Sequence, residues 1–266
     1  REVEAVARFY CGGIGMKRVE QPDPQGGTLL EWQGTYLRLR QVQAEPPAPP
    51  PANPIQQMMA VNGFRWFSLW FADVAAVEQR LVAVGYPKPL QGGNVSFIRD
   101  PEGNVVELMR LPRNVATDTL TVGMIVGDDA AARAFYGTTL GLPQYDPMRL
   151  PPPVNRDLPV YGVGSGRVKF VALDGERPND ADLGPDAPGL RSLALWVPDL
   201  AKARDTLAGR GATPVENGNR LALTDPDGNR VFVEQAPAWL PAPAHAAAPT
   251  EAVGEEAWPG GPRLKA

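Results

Sequence analysis

The sequence predicts an α+β fold of tandem βαβββ modules, grouped into two domains whose mixed sheets curve into cups. Three observations carry that prediction. A turn of fixed chemistry occurs twice, as Asp100-Pro-Glu-Gly-Asn-Val-Val-Glu-Leu and as Asp225-Pro-Asp-Gly-Asn-Arg-Val-Phe-Val-Glu. Proline presets φ for a turn and Gly-Asn tolerates the positive φ that reverses the chain into a strand. A helix-ending phrase also occurs twice, Phe9-Tyr10 through Gly15-Met16 and Phe135-Tyr136 through Gly141-Leu142, at an offset of 126 residues. The same offset relates Phe67 to Leu193, Trp70 to Trp196, Asp73 to Asp199, Leu81 to Leu207 and Gly85 to Gly211. Matched order at a constant offset is the signature of a duplicated unit.

The elements follow in order. Residues 1–16 read as an amphipathic helix with a glycine stop, and a strand is expected upstream of Arg1, because the second copy has one at Leu120 to Val126. Thr28 to Gln33 and Thr35 to Val42 read as a hairpin joined at Gly34. The run 45–54, six of whose residues are proline, reads as a semi-extended linker. Phe64 to Phe71 is a strand, Asp73 caps a helix running to Val84 and Gly85 stops it. Asn94 to Arg99 and Val105 to Met109 close that module. The second half repeats the plan, with 143–159 and 177–188 read as long loops. The resulting domains are 1–112 and 113–236, each of two modules, followed by an Ala/Pro-rich tail over 237–266 that is expected to pack little.

Composition narrows the chemistry. With 43% hydrophobic and 21% charged residues the chain has the composition of a globular protein, and 28 glycines with 30 prolines predict many turns. A net charge of −4 without a Lys/Arg-rich run leaves out the footprint of a nucleic-acid binder, and no apolar run approaches membrane-spanning length. Cys11 is the single cysteine and His245, in the tail, the single histidine. A site that needs two or three imidazoles, or a cysteine cluster, cannot be assembled from these residues.

The paired modules, the Phe-Tyr…Leu-Gly-Leu phrase and the Asp-Pro-acid-Gly-Asn strand entry together resemble the vicinal oxygen chelate superfamily, which includes glyoxalase I, extradiol dioxygenases and bleomycin-resistance proteins. The resemblance covers residues 1–236 and implies two glyoxalase-like domains. It also implies two ligand-binding cups, one from modules one and two, the other from modules three and four. Metal-dependent members hold a divalent ion through first-strand histidines, seven residues before the helix-capping Asp, and a last-strand glutamate, three residues after the turn Asn. Those places hold Trp66, Thr121 and Ser192 on the first strands, and Glu107 and Phe232 on the last. Only Glu107 keeps a metal-binding group.

Strand alternation puts Trp66, Ser68 and Trp70 on one face, Ser192 and Trp196 on another, and Arg230, Phe232 and Glu234 together. The ligand-binding candidates are therefore Trp66, Ser68, Trp70, Thr121, Ser192, Trp196, Arg230 and Phe232, and the catalytic candidates Glu107 and Glu234. No cofactor is expected, a divalent metal held in part by Glu107 being the alternative. The expected partner is a small-molecule ligand, with a homodimer as an option and neither nucleic acid nor membrane. The reading is a metal-independent binder of an aromatic or amphipathic molecule. The alternative is a superfamily lyase, isomerase or dioxygenase using Glu107 or Glu234.

Overall fold

A computed structural model describes residues 2–43, 51–92, 95–111, 120–150, 155–184 and 186–240. Module one has helix α1 (Val3–Arg8), which continues as a π-helical turn over Phe9–Ile14, and strands β1 (Lys17–Arg18), β2 (Thr28–Trp32) and β3 (Thr35–Leu39). A short helix α2 (Pro54–Met59) leads into module two, which has β4 (Gly63–Phe71), α3 (Val74–Ala83), β5 (Leu90–Gly92), β6 (Val95–Arg99) and β7 (Val105–Arg110). Module three has β8 (Leu120–Val126), α4 (Asp129–Arg133) with a second π-helical turn over Ala134–Thr139, β9 (Gln144–Arg149), β10 (Asp157–Val163) and β11 (Gly166–Ala172). Module four has β12 (Ser192–Val197), α5 (Leu200–Gly209), β13 (Val215–Asn217), β14 (Arg220–Thr224) and β15 (Arg230–Gln235).

Local chemistry accounts for the helix starts and the turns. Asp73, Asp128 and Asp199 each accept a backbone N–H from the first turn of the following helix. The duplicated turns are tied identically. Asp100 accepts the N–H groups of Glu102 and Asn104, and Asp225 those of Asp227 and Asn229. Gly103 and Gly228 take positive φ there.

The tyrosine of the helix-ending phrase meets the aspartate of the turn. Tyr10 donates to Asp100 at 2.9 Å and Tyr136 to Asp225 at 2.9 Å, all four residues being buried. The two recurring sequence signals are thus two ends of one hydrogen bond, which ties module one to module two and module three to module four. Burial first, then the neighbouring aspartate, pushes each tyrosine well above its ordinary pKa, so both hold their protons. On this helix side the first pair shares one core of Phe9, Tyr10, Leu30, Phe67, Leu69, Leu81 and their neighbours. In the second pair, Phe135 and Leu140 pack onto Leu207 and Val233.

Sheet pairing follows a different partition. β4 and β8 are antiparallel neighbours, with Ser68 opposite Thr121, so modules two and three form one eight-stranded sheet in the order β5-β6-β7-β4-β8-β11-β10-β9. Modules one and four contribute separate sheets, β1-β2-β3 and β12-β15-β14-β13. This corrects the expected cups. The first cup belongs to modules two and three, and modules one and four face each other to make the second, through contacts described below. The sequence reports which residues share a face; which module supplies the neighbouring strand depends on edges that hydrophobic periodicity does not mark.

Three further expectations change. Part of the Pro-rich stretch is helical, because Asn53 accepts the Ile55 N–H and Pro54 occupies the first helical position. Residues 45–50 of it lie outside the described residues, as do 112–119 and 241–266 with His245. The segment read as a loop over 143–159 contains β9 and the start of β10, whose Pro147 and Pro159 sit in an outer pair with an irregular register. Tail residue Trp239 is packed, its ring 5.9 Å from Trp196 and 6.0 Å from Tyr36.

Candidate functional site

In the first cup, strand alternation on β4 turns Phe67, Leu69 and Phe71 to the helix-side core and Trp66, Ser68 and Trp70 to the opposite, concave face. Register then decides what they meet. Ser68 stands beside Glu107 on β7 and beside Thr121 on β8. On β11, Lys169 holds in module three the place that Glu107 holds in module two. Each stands two residues beyond the partner of its family position, Arg167 opposite Thr121 and Val105 opposite Trp66. Lys169 Nζ lies 2.9 Å from Glu107 Oε2 and 2.8 Å from Ser68 Oγ, and Ser68 Oγ donates to the same carboxylate oxygen.

The ammonium also sits 5.4 Å from the centre of the Trp66 ring. That ring fits because β8 has glycine beneath it, where a Cβ on Gly123 would come within 2.0 Å of Trp66 Cε2. Met58 of α2 packs into the same cluster with Trp66, Phe97, Val105 and Leu158. All of Trp66, Ser68, Trp70, Glu107, Thr121 and Lys169 are buried. The first cup is filled by its own side chains and by the linker helix, and Trp66 and Trp70 form part of its packed interior.

The residues at the chelating positions do not fit a divalent metal. Indole and hydroxyl replace the histidines, and the remaining carboxylate is occupied by an ammonium and a hydroxyl. An ammonium 2.9 Å from Glu107 supplies the positive charge that a metal would bring. Among the described residues no group of three or more His, Cys, Asp or Glu side chains could hold an ion.

The second cup is open. Its floor is the concave face of the module-four sheet, where register lines up Trp196 with Glu234 and Arg220, Ala194 with Phe232 and Ala222, and Ser192 with Arg230 and Thr224. Thr121, expected to join Ser192 and Phe232, belongs instead to the first cup, since β8 pairs with β4. From module one, Arg38 follows a two-residue turn at the same strand position as Lys169. Its guanidinium grips both oxygens of Glu234, at 3.0 and 2.8 Å, and its Nε lies 2.7 Å from Asp23. Burial opposes the charge on Arg38, yet Glu234 and Asp23 outweigh it and raise the pKa.

Trp196 Nε1 donates to Glu234 at 2.9 Å, and Tyr36 packs on Trp196 with centroids 4.9 Å apart. Here the carboxylate has moved one pleat along the strand and again meets a cation from the facing module. Phe232, at the family's glutamate place, is half-buried, while Ser192 and Ala194 are exposed. Tyr36, Trp196, Arg220, Arg230 and Phe232 all line a cavity of about 1670 Å³ that also runs between β3 and β12. Each of those two strands has one edge without a neighbouring strand among the described residues.

Sequence reasoning missed Lys169, Arg38, Tyr36, Arg220 and Trp239. The available signal was the repeat itself, since transferring the Glu107 register onto the closing strands of modules one and three points to Arg38 and Lys169. Cys11 is half-buried and burial raises its thiol pKa, which disfavours the nucleophilic thiolate.

Residues 1–108 and, separately, residues 121–230 match the Glyoxalase/Bleomycin resistance protein/Dioxygenase superfamily. The chain belongs to that superfamily, carrying its domain twice. Among solved structures, glyoxalase I from Zea mays is similar over 88% of each chain, with 16% identity and a TM-score of 0.62. TnmS3, an antibiotic binding protein from a Streptomyces species, matches 44% of this chain and 93% of its own at 22% identity and a TM-score of 0.32. The first likeness is one of fold; the second spans a single domain. No curated protein matches the chain.

Proposed function

We propose that the protein is a metal-independent small-molecule binder of this superfamily, taking an aromatic or amphipathic ligand in the second cup. The observation that carries the reading is the contrast between the cups. The place of the chelate in the first is taken by a buried Lys169–Glu107 pair, whereas the second presents the half-buried rings of Tyr36, Trp196 and Phe232 to a cavity. Aromatic walls with a few fixed polar groups favour flat organic molecules.

The enzymatic alternative asks Glu107 or Glu234 to act as a general base. Each is bound by a cation and a second donor, Glu107 by Lys169 and Ser68 and Glu234 by Arg38 and Trp196. Both carboxylates are thus committed to partners within the protein rather than presented to a substrate, which supports the binding reading. The test is a titration of flat aromatic compounds followed by tryptophan fluorescence, since Trp196 and Trp239 border the proposed site. Saturable quenching is expected, and its absence across a chemically broad panel overturns the reading.

A further inference from the structure

The floor of the second cup carries positive charge that no carboxylate among the described residues neutralises. Glu234 is engaged by Arg38 and Trp196. Arg220, its neighbour in register on β14, lies instead over the Phe232 ring with the guanidinium carbon 4.4 Å from the centroid. Arg230, two residues before Phe232 on the same face, forms no ion pair among the described residues, and neither does Arg220. A third cation on the cavity wall, Arg167, lies over Tyr145 at 5.1 Å and is likewise without a carboxylate. Burial lowers its pKa, as expected of a charge drawn from water without a counter-ion.

Two acids on the wall, Asp100 and Asp199, are committed to local structure. Asp100 holds its turn and Tyr10, and Asp199 caps α5. The chain as a whole carries a net charge of −4, so this cationic face runs against the average. Guanidinium groups left unpaired inside a concavity favour an anion, because their planar donors match carboxylate, sulfonate or phosphate oxygens.

We propose that Arg220 and Arg230 bind the anionic group of an aromatic ligand, whose rings lie against Phe232 and Trp196. This inference rests on the small-molecule-binding reading and specifies its ligand class as aromatic carboxylates, sulfonates or phosphates. Arg220 lies over Phe232, so an anion on its guanidinium sits next to an aromatic side chain of the floor.

Two fluorescent probes that differ in charge separate the outcomes, anilinonaphthalene sulfonate and its uncharged counterpart phenylnaphthylamine. The sulfonate is expected to bind about tenfold or more tightly than the amine, and Arg220→Met and Arg230→Met are each expected to remove most of that advantage, read as the ratio of the two affinities in the same variant. Arg230→Lys keeps part of it. On the unaltered protein, raising NaCl from about 0.05 to 0.5 M should weaken sulfonate binding and spare the amine. If both probes bind equally, or if the sulfonate advantage survives both substitutions with the salt response absent, the anion site is overturned while small-molecule binding stands. Failure of both probes to bind overturns the two together.

Discussion

Tyr10 and Tyr136 each place a hydroxyl on the buried aspartate of a duplicated turn. A hydrogen bond to a charged group contributes about 1.5–3 kcal/mol, so Tyr10→Phe and Tyr136→Phe should each lower unfolding free energy by about that amount in urea titration. Both tyrosines have folded-state pKa values above the ordinary 10.0. Their stabilisation is therefore fully present below the ordinary value and is lost as pH rises through the raised one. Alkaline unfolding should start above the ordinary tyrosine range in the natural protein, and the double Phe variant should lose much of that pH dependence. Lys169 gives the second prediction at this scale. Lys169→Met leaves Glu107 buried without its cation and should cost about 3–5 kcal/mol, whereas Lys169→Met with Glu107→Leu should cost less than Lys169→Met alone. Glu107 stood out in the sequence as the one carboxylate left at a chelating place; Lys169 did not. A lysine on a strand reads as solvated until its neighbour is known, and here the neighbours Ser68 and Glu107 come from another module.

Elements legible in the sequence were those with local chemistry. Capping aspartates, the Gly85 stop and the Asp-Pro turns each carry their cause within a few residues, and strands β4, β6, β7 and β8 lie within a residue or so of their expected bounds. The elements that escaped depend on distant partners. Helix α2 follows a proline run, and its burial comes from Met58 docking on Trp66 and Val105. The partnership of β4 with β8 is fixed by hydrogen bonds between modules, and it moves Thr121 from one cup to the other. Gly123 reports on that partnership. A methyl group there would collide with the Trp66 ring, so Gly123→Ala should cost about 1–3 kcal/mol by chemical denaturation. Combining it with Trp66→Leu should cost less than the sum, because the smaller side chain removes the clash.

At the scale of the molecule, two pairings of the same four modules coexist. Tyrosine–aspartate bonds join one to two and three to four on the helix side, while the shared sheet joins two to three, and Arg38 with Tyr36 joins one to four. Duplication accounts for the equivalent places of Lys169 and Arg38, each a cation that reaches a carboxylate of the facing module. Divergence after duplication then explains the difference between the cups. One cup closed over Lys169 and Glu107, and the other kept a cavity beneath aromatic and cationic residues. The central claim is that this second cup binds a flat organic ligand without a metal. Its most direct test is a tryptophan-fluorescence titration with anionic aromatic compounds, run with and without a strong chelator. Saturable quenching with the same affinity in both conditions is expected. No saturable response, or binding that the chelator abolishes, would contradict it.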